Sequence, residues 1–167
     1  MNQLIILALF SWLGFTPKGL AETNIIYSCN AENSPISDNC LGCICEGSSG
    51  CTPAAGCSSG NKRCGPFRLT KEYWISSGSC VTNGDDPTSA LAFENCANDI
   101  RCASLTIRSY INRFQQDCNG DLNETCDDYA MIHKSGGFNC ERCISGTKFW
   151  RGFSSCRRDV LKAGNTL

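Results

Sequence analysis

The sequence predicts a small, helix-rich α+β domain with a short β-hairpin, stapled by about seven disulfides. Three observations carry that reading. The chain holds 15 cysteines in 167 residues, all of them beyond residue 28. Its second half repeats apolar residues at helical spacing between capping and stop signals. Its middle holds β-prone aromatics bounded by turn residues.

The N-terminus comes first. The apolar run over residues 4–15 is too short to span a bilayer. Gly19, Leu20 and Ala21 put small residues where a signal peptidase reads. Residues 1–21 are therefore expected to be a cleaved signal peptide, although no Lys or Arg precedes the apolar run. Removing them leaves 146 residues, one domain with a modest core. Lys18 leaves with the segment, so 14 basic residues face 16 acidic ones, a net charge of −2. The sequence shows no run of basic residues of the kind nucleic acid needs. A net charge of −2 does not point to a strongly cationic surface that seeks membranes.

Cysteine makes up about a tenth of the remaining chain, the range of disulfide scaffolds. In an oxidising compartment 15 thiols allow at most seven bridges and one unpaired cysteine. Cys40-x-x-Cys43 and Cys140-x-x-Cys143 have the spacing of a four-thiolate zinc site. The signal segment and the many other cysteines argue for disulfides instead, and no metal or other cofactor is expected.

Along the chain, residues 22–39 are polar and aperiodic, a loose lead-in to a domain over 40–160. Residues 40–64 are rich in Gly, Ser, Pro and Cys and predict loop. Residues 66–77, PFRLTKEYWISS, predict a short strand or hairpin. Asn83-Gly84 and Asp86-Pro87 are turn signals. Thr88 or Ser89 is expected to cap a helix through about Ala97. Cys102, Leu105, Tyr110, Ile111 and Phe114 then fall near helical spacing, with Arg108, Arg113 and Gln116 opposite. Thr125-x-x-Asp128 has the form of a capping box for a helix that Gly136-Gly137 would stop. An amphipathic segment runs from about Lys148 to Leu161, before a tail over 161–167. Asn123-Glu124-Thr125 is a candidate N-glycosylation sequon.

Several stretches together resemble the invertebrate-type (i-type) lysozyme family, also called the destabilase family. They are CLGCIC at 40–45, SGC at 49–51, GC at 56–57, CGPF at 64–67 and YWI at 73–75. ENCANDIRCAS at 94–104, CDDYAMIH at 126–133, the Gly-Gly before Cys140 and the aromatics before Cys156 complete the set. The resemblance spans roughly residues 40–156 and implies a lysozyme-like fold. It implies bridges among Cys40, Cys43, Cys45, Cys51, Cys57, Cys64, Cys80, Cys96, Cys102, Cys118, Cys126, Cys140 and Cys156, joined by Cys29 or Cys143. The family usually has a further cysteine where this chain has Thr106. The odd cysteine leaves room for a covalent dimer.

The resemblance also implies a substrate. Active members cleave the β-1,4 link between N-acetylmuramic acid and N-acetylglucosamine in bacterial peptidoglycan. Such hydrolysis takes two carboxylates, one a protonated general acid. The family's acid stands in C-x-C-x-x-E-S-x-C, which puts Ser48 at its place. The second carboxylate falls near Gly60, in a turn that is two residues shorter here. That turn, SSGNKR between Cys57 and Cys64, contains no acid. Glu46 is a weak stand-in: on a helix it would lie about 200° round the axis from Ser48, and on an extended segment it would share that face but sit roughly 6–7 Å away, beyond hydrogen-bond reach. Some members are also proposed to cleave isopeptide bonds, and the Lys of that chemistry aligns on Thr70, one place before Lys71. His133, the only histidine, matches the family's His in DYxxIH. Thr70, Lys71, Tyr73, Trp74 and His133 are candidates for contact with a sugar chain, and Phe67 joins them or the core.

The expected protein is thus a secreted member that binds or acts on bacterial cell-wall glycan with a degenerate catalytic site. A working lysozyme with relocated carboxylates, and a disulfide-rich structural protein without glycan binding, remain as alternatives.

Overall fold

The computed structural model describes residues 29, 31–52, 56–58, 60, 63–82 and 84–167. The expected signal peptide and Asn83 of the first turn signal lie outside them. Among the described residues six helices make up the framework, α1 (Asp38–Ser49), α2 (Lys71–Ser76), α3 (Ala92–Asn98), α4 (Ile100–Phe114), α5 (Cys126–Ser135) and α6 (Lys148–Lys162), with a 3-10 turn at Gly137–Asn139. Among the described residues no helix is long and apolar enough to cross a membrane.

The first helix corrects the expectation of a loop over residues 40–64. Ser37 caps α1 by accepting from the Cys40 amide, and Asp38 adds a negative charge to the first turn. Cys40, Leu41, Ile44 and Cys45 fall on one face and are buried. Gly50, at φ 68°, ends the helix, and its N–H returns to the Glu46 carbonyl at 2.9 Å. Two glycines inside a helix cost about 1 kcal/mol each against alanine, but Gly47 has a packing reason. A Cβ there would stand 2.7 Å from the Phe149 carbonyl oxygen, and one on Gly152 would stand 3.1 Å from the Gly47 Cα. The two glycines let α1 and α6 pack closely, and this is the most extensive helix pair in the fold. Ile36 is also buried, so the segment just before residue 40 belongs to the core.

The hairpin is reduced to isolated bridges, Cys57 with Cys64 and Cys64 with Leu69. The latter closes a tight turn through N–H···O bonds of 2.8 and 2.9 Å. Residues 71–76, expected as strand, are helix α2. Thr70 accepts from the Tyr73 amide as its cap, and this with tertiary packing overrides the β-propensity of Tyr73, Trp74 and Ile75. Trp74 is 3% exposed and donates to the Cys80 carbonyl at 2.6 Å. Neither Thr88 nor Ser89 caps α3. Asp86 accepts from the Thr88 amide in a turn, and α3 begins only at Ala92 without a side-chain cap.

The second half follows the sequence more closely. Asp99 caps α4, whose buried face is Cys102, Ala103, Thr106, Ile107, Tyr110 and Ile111. Leu105 sits beside that face and Gln116 lies beyond the helix end. The Thr125–Asp128 capping box forms, and Gly136 at φ 86° stops α5. Asn123 is exposed in the loop before α5.

Seven bridges form. Cys40–Cys126 ties α1 to α5, Cys43–Cys156 ties α1 to α6, and Cys96–Cys102 joins α3 to α4. Cys45–Cys51, Cys57–Cys64, Cys118–Cys140 and Cys29–Cys80 complete the set. Cys29 is thus the additional partner, and Cys143 is the free, exposed thiol. Thr106 is fully buried, with its hydroxyl 3.4 Å from the Cys96 sulfur and donating to the Cys102 carbonyl at 2.9 Å.

Candidate functional site

A cleft of about 820 Å³ opens where the C-terminal end of α1, the turn over 63–70, the C-terminal end of α5 and the first turns of α6 converge. Ser48 lines it, as do Tyr73, His133 and the Gly47–Gly152 crossing. A second hollow of about 620 Å³ shares Arg63, Thr70 and Glu72 with it and adds Gly60 and Lys71. The structure therefore brings Ser48, Thr70, Tyr73 and His133 to the cleft, and places Gly60 and Lys71 beside it. Trp74 is a core residue, and Phe67, 2% exposed, reaches the cleft only from its buried side.

Ser48 and His133 are neighbours, with 3.3 Å between Oγ and Nε2. The surrounding acceptors decide what that contact means. Ser48 Oγ donates to the Ile44 carbonyl at 2.8 Å. His133 Nε2 lies 3.2 Å from the Phe67 carbonyl. A carbonyl oxygen only accepts, so the imidazole proton sits on Nε2 and Nδ1 carries the lone pair. Nε2 therefore cannot take a proton from the serine, and the pair is not an activated nucleophile. Ser49 likewise donates to the Pro66 carbonyl, at 2.7 Å. The two hydroxyls and the imidazole clamp the end of α1 to the 63–70 turn and to α5.

Two polar atoms at the floor of the cleft have no partner: His133 Nδ1, an acceptor, and the Tyr73 hydroxyl. Tyr73 stacks on Tyr110 at 3.7 Å between centroids and meets the His133 ring edge-on at 5.5 Å. Burial, then the charge of Tyr110, raises the Tyr73 pKa. Burial is also the main cause that lowers the His133 pKa to about 4. The Phe67 hydrogen bond opposes it, and Lys134 and Arg63 add to it.

The histidine gives a pH prediction with a definite sign. Its folded pKa lies below the ordinary 6.5, so between pH 4 and 6.5 the unfolded chain binds more protons. Stability from this residue is complete above pH 6.5 and falls as the pH drops toward 4. We expect His133→Gln to narrow the stability gap between pH 7 and pH 4.5 by about 1–2 kcal/mol, discounted for partial exposure. Urea melts of both proteins at the two pH values measure this, and an unchanged gap contradicts it.

The carboxylates that line the cleft are Glu46 and Glu72, and neither replaces Ser48 in position. Glu46 is exposed on α1 about 200° round from Ser48, so it reaches only the rim. Cations are more numerous: Arg63, Arg68, Lys134, Lys148 and Arg151. Residue-by-residue reading missed this group. Its one sequence signal was the turn SSGNKR, which brings basic residues where an acid was sought. Among the described residues no three His, Cys, Asp or Glu side chains cluster to hold a metal.

The fold and cleft define a disulfide-stapled helical domain of the lysozyme class. The destabilase family's sequence model matches residues 37–156. The chain is 35% identical to invertebrate-type lysozyme 3 of Caenorhabditis elegans over 123 residues, 72% of this chain and 86% of that one. It is 36% identical to a lysozyme of Magallana gigas over 117 residues, 69% of this chain and 76% of that one. Among solved structures it is similar to that of Aeromonas hydrophila PliI in complex with Meretrix lusoria lysozyme. The TM-score is 0.54 and the identity 27%, over 72% of this chain and 89% of that one. The Tapes japonica lysozyme structure shares the fold, with a TM-score of 0.52 at 24% identity over 78% and 95% of the two chains. This chain belongs to the destabilase family of invertebrate-type lysozymes.

Proposed function

We propose that this chain is a secreted member of its family that binds bacterial cell-wall glycan without cleaving it. The observation that carries the reading is Ser48. It stands where the family pattern has its general acid, and its hydroxyl is spent on the Ile44 carbonyl beside a histidine that donates elsewhere. A serine hydroxyl has no proton to give at a useful pKa, and the turn that would bring the second carboxylate holds none. The cleft itself persists, lined by Ser48, Thr70, Tyr73 and several Lys and Arg side chains, and its size suits a sugar chain. Relatives bearing the name lysozyme make peptidoglycan the ligand of choice. Seven bridges favour an oxidising compartment, in keeping with a signal peptide over residues 1–21 and a glycan on Asn123.

Purified, disulfide-intact protein is expected to sediment with insoluble peptidoglycan. Protein left wholly in the supernatant would contradict the binding reading. A second reading, hydrolysis by relocated acids, is favoured only by the presence of Glu46 and Glu72 at the cleft.

A further inference from the structure

The cleft gathers positive charge in a chain that is otherwise acidic. Among the described residues five Lys or Arg line it against two Glu, while the whole chain has 15 basic residues and 16 acidic ones. Among the described residues, Arg63, Lys134 and Lys148 form no ion pair. The ion pairs Arg108–Asp38 and Arg157–Asp127 lie away from the cleft. Lys134 is partly desolvated at the cleft wall, 5.6 Å from the Phe149 ring centroid. Burial, then the charge of Arg63, lowers its pKa, so the two cations feel each other. Like charges held together around a concavity, beside low-dielectric walls, create a focused positive potential. An anionic ligand relieves that repulsion, and a neutral one does not.

We infer that the cleft selects a carboxylate-bearing glycan strand over a neutral strand of the same sugars, with Arg63, Lys134 and Lys148 as the selecting cations. This rests on the glycan-binding reading above and names the chemical class of its ligand. Arg63 offers a planar fork that matches a carboxylate, and the two lysines act as point charges. Native and amidated strands present the same sugar rings to the cleft, so charge alone sets the preference between them.

The test uses the full, disulfide-intact protein and three probes. They are peptidoglycan freed of teichoic acid, the same material with its carboxylates amidated, and a neutral hexamer of N-acetylglucosamine. Amidation is expected to weaken binding about tenfold, which corresponds to roughly 1.4 kcal/mol. The hexamer should bind no more tightly than the amidated wall. Added salt should weaken only the binding to the carboxylate-bearing wall, because exposed charges are screened within about 8 Å at physiological ionic strength. The double variant Lys134→Gln, Lys148→Gln should bring native-wall binding down to the amidated level. If that variant does not fold, the amidation and salt arms decide alone. Equal binding to native and amidated walls overturns the inference while the glycan reading stands. Binding to none of the probes overturns both.

Discussion

Replacing Cys43 and Cys156 together by alanine is expected to cost about 4 kcal/mol. The bridge joins residues 113 apart and fastens α1 to α6 at the fold's most extensive helix pair. With Cys40–Cys126 intact the released loop is shorter, roughly 33 residues through that neighbouring bridge, and loop-closure entropy for that length is still about 3.7 kcal/mol. Cys43 is fully buried, so the lost sulfur also leaves a small void. The melting temperature should fall by about 10–15 °C. Removing Cys45–Cys51, six residues apart, should cost only about 2 kcal/mol by the same relation. Calorimetry on both double variants gives the comparison. Equal losses, or no loss at Cys43–Cys156, would contradict the view that long-range bridges hold the helices together.

Ser48→Glu alone is expected to leave the protein without muramidase activity. A carboxyl at 48 would enter a site where His133 Nε2 carries a proton and where Arg63 and Lys134 already disfavour positive charge on the imidazole. The same field favours the ionised carboxylate, whereas a general acid must stay protonated near neutral pH. It would also lack the second carboxylate that steadies the oxocarbenium-like transition state. Activity should return only when the 57–64 turn is rebuilt with its two missing residues and an Asp. Losing one member of a catalytic unit typically removes most of the rate, so the single variant and the rebuilt one should differ by orders of magnitude. Release of reducing ends from purified peptidoglycan reads this directly. Full activity of Ser48→Glu alone would show that the cleft already holds a working partner.

The helices of the second half were legible because their boundaries are written in local chemistry. The Thr125–Asp128 box, Gly136 and the amphipathic run from Lys148 each act within a turn or two of themselves. α1 was not legible in the same way. Its Gly, Ser and Cys content reads as loop, and only counting Cys40 and Cys45 as apolar with Leu41 and Ile44 exposes the helical face. α2 was hidden by β-prone aromatics whose conformation is set by the Thr70 cap and by the core around Trp74. Ser48's place between Cys45 and Cys51 is plain in the sequence, and its reading as the family's acid position rests on the resemblance. The Ser48–His133 contact spans 85 residues and needed the fold. So did the cationic rim, whose members come from the 63–70 turn, α5 and α6.

The central claim is that the acid has gone from this cleft and has not moved within it. Turnover by the wild-type protein beside Glu46→Gln tests it most directly, with reducing ends released from Gram-positive peptidoglycan as the readout. The account predicts that neither protein releases reducing ends above background. Clear turnover by the wild type, abolished by Glu46→Gln, would contradict it and place the acid two residues before Ser48.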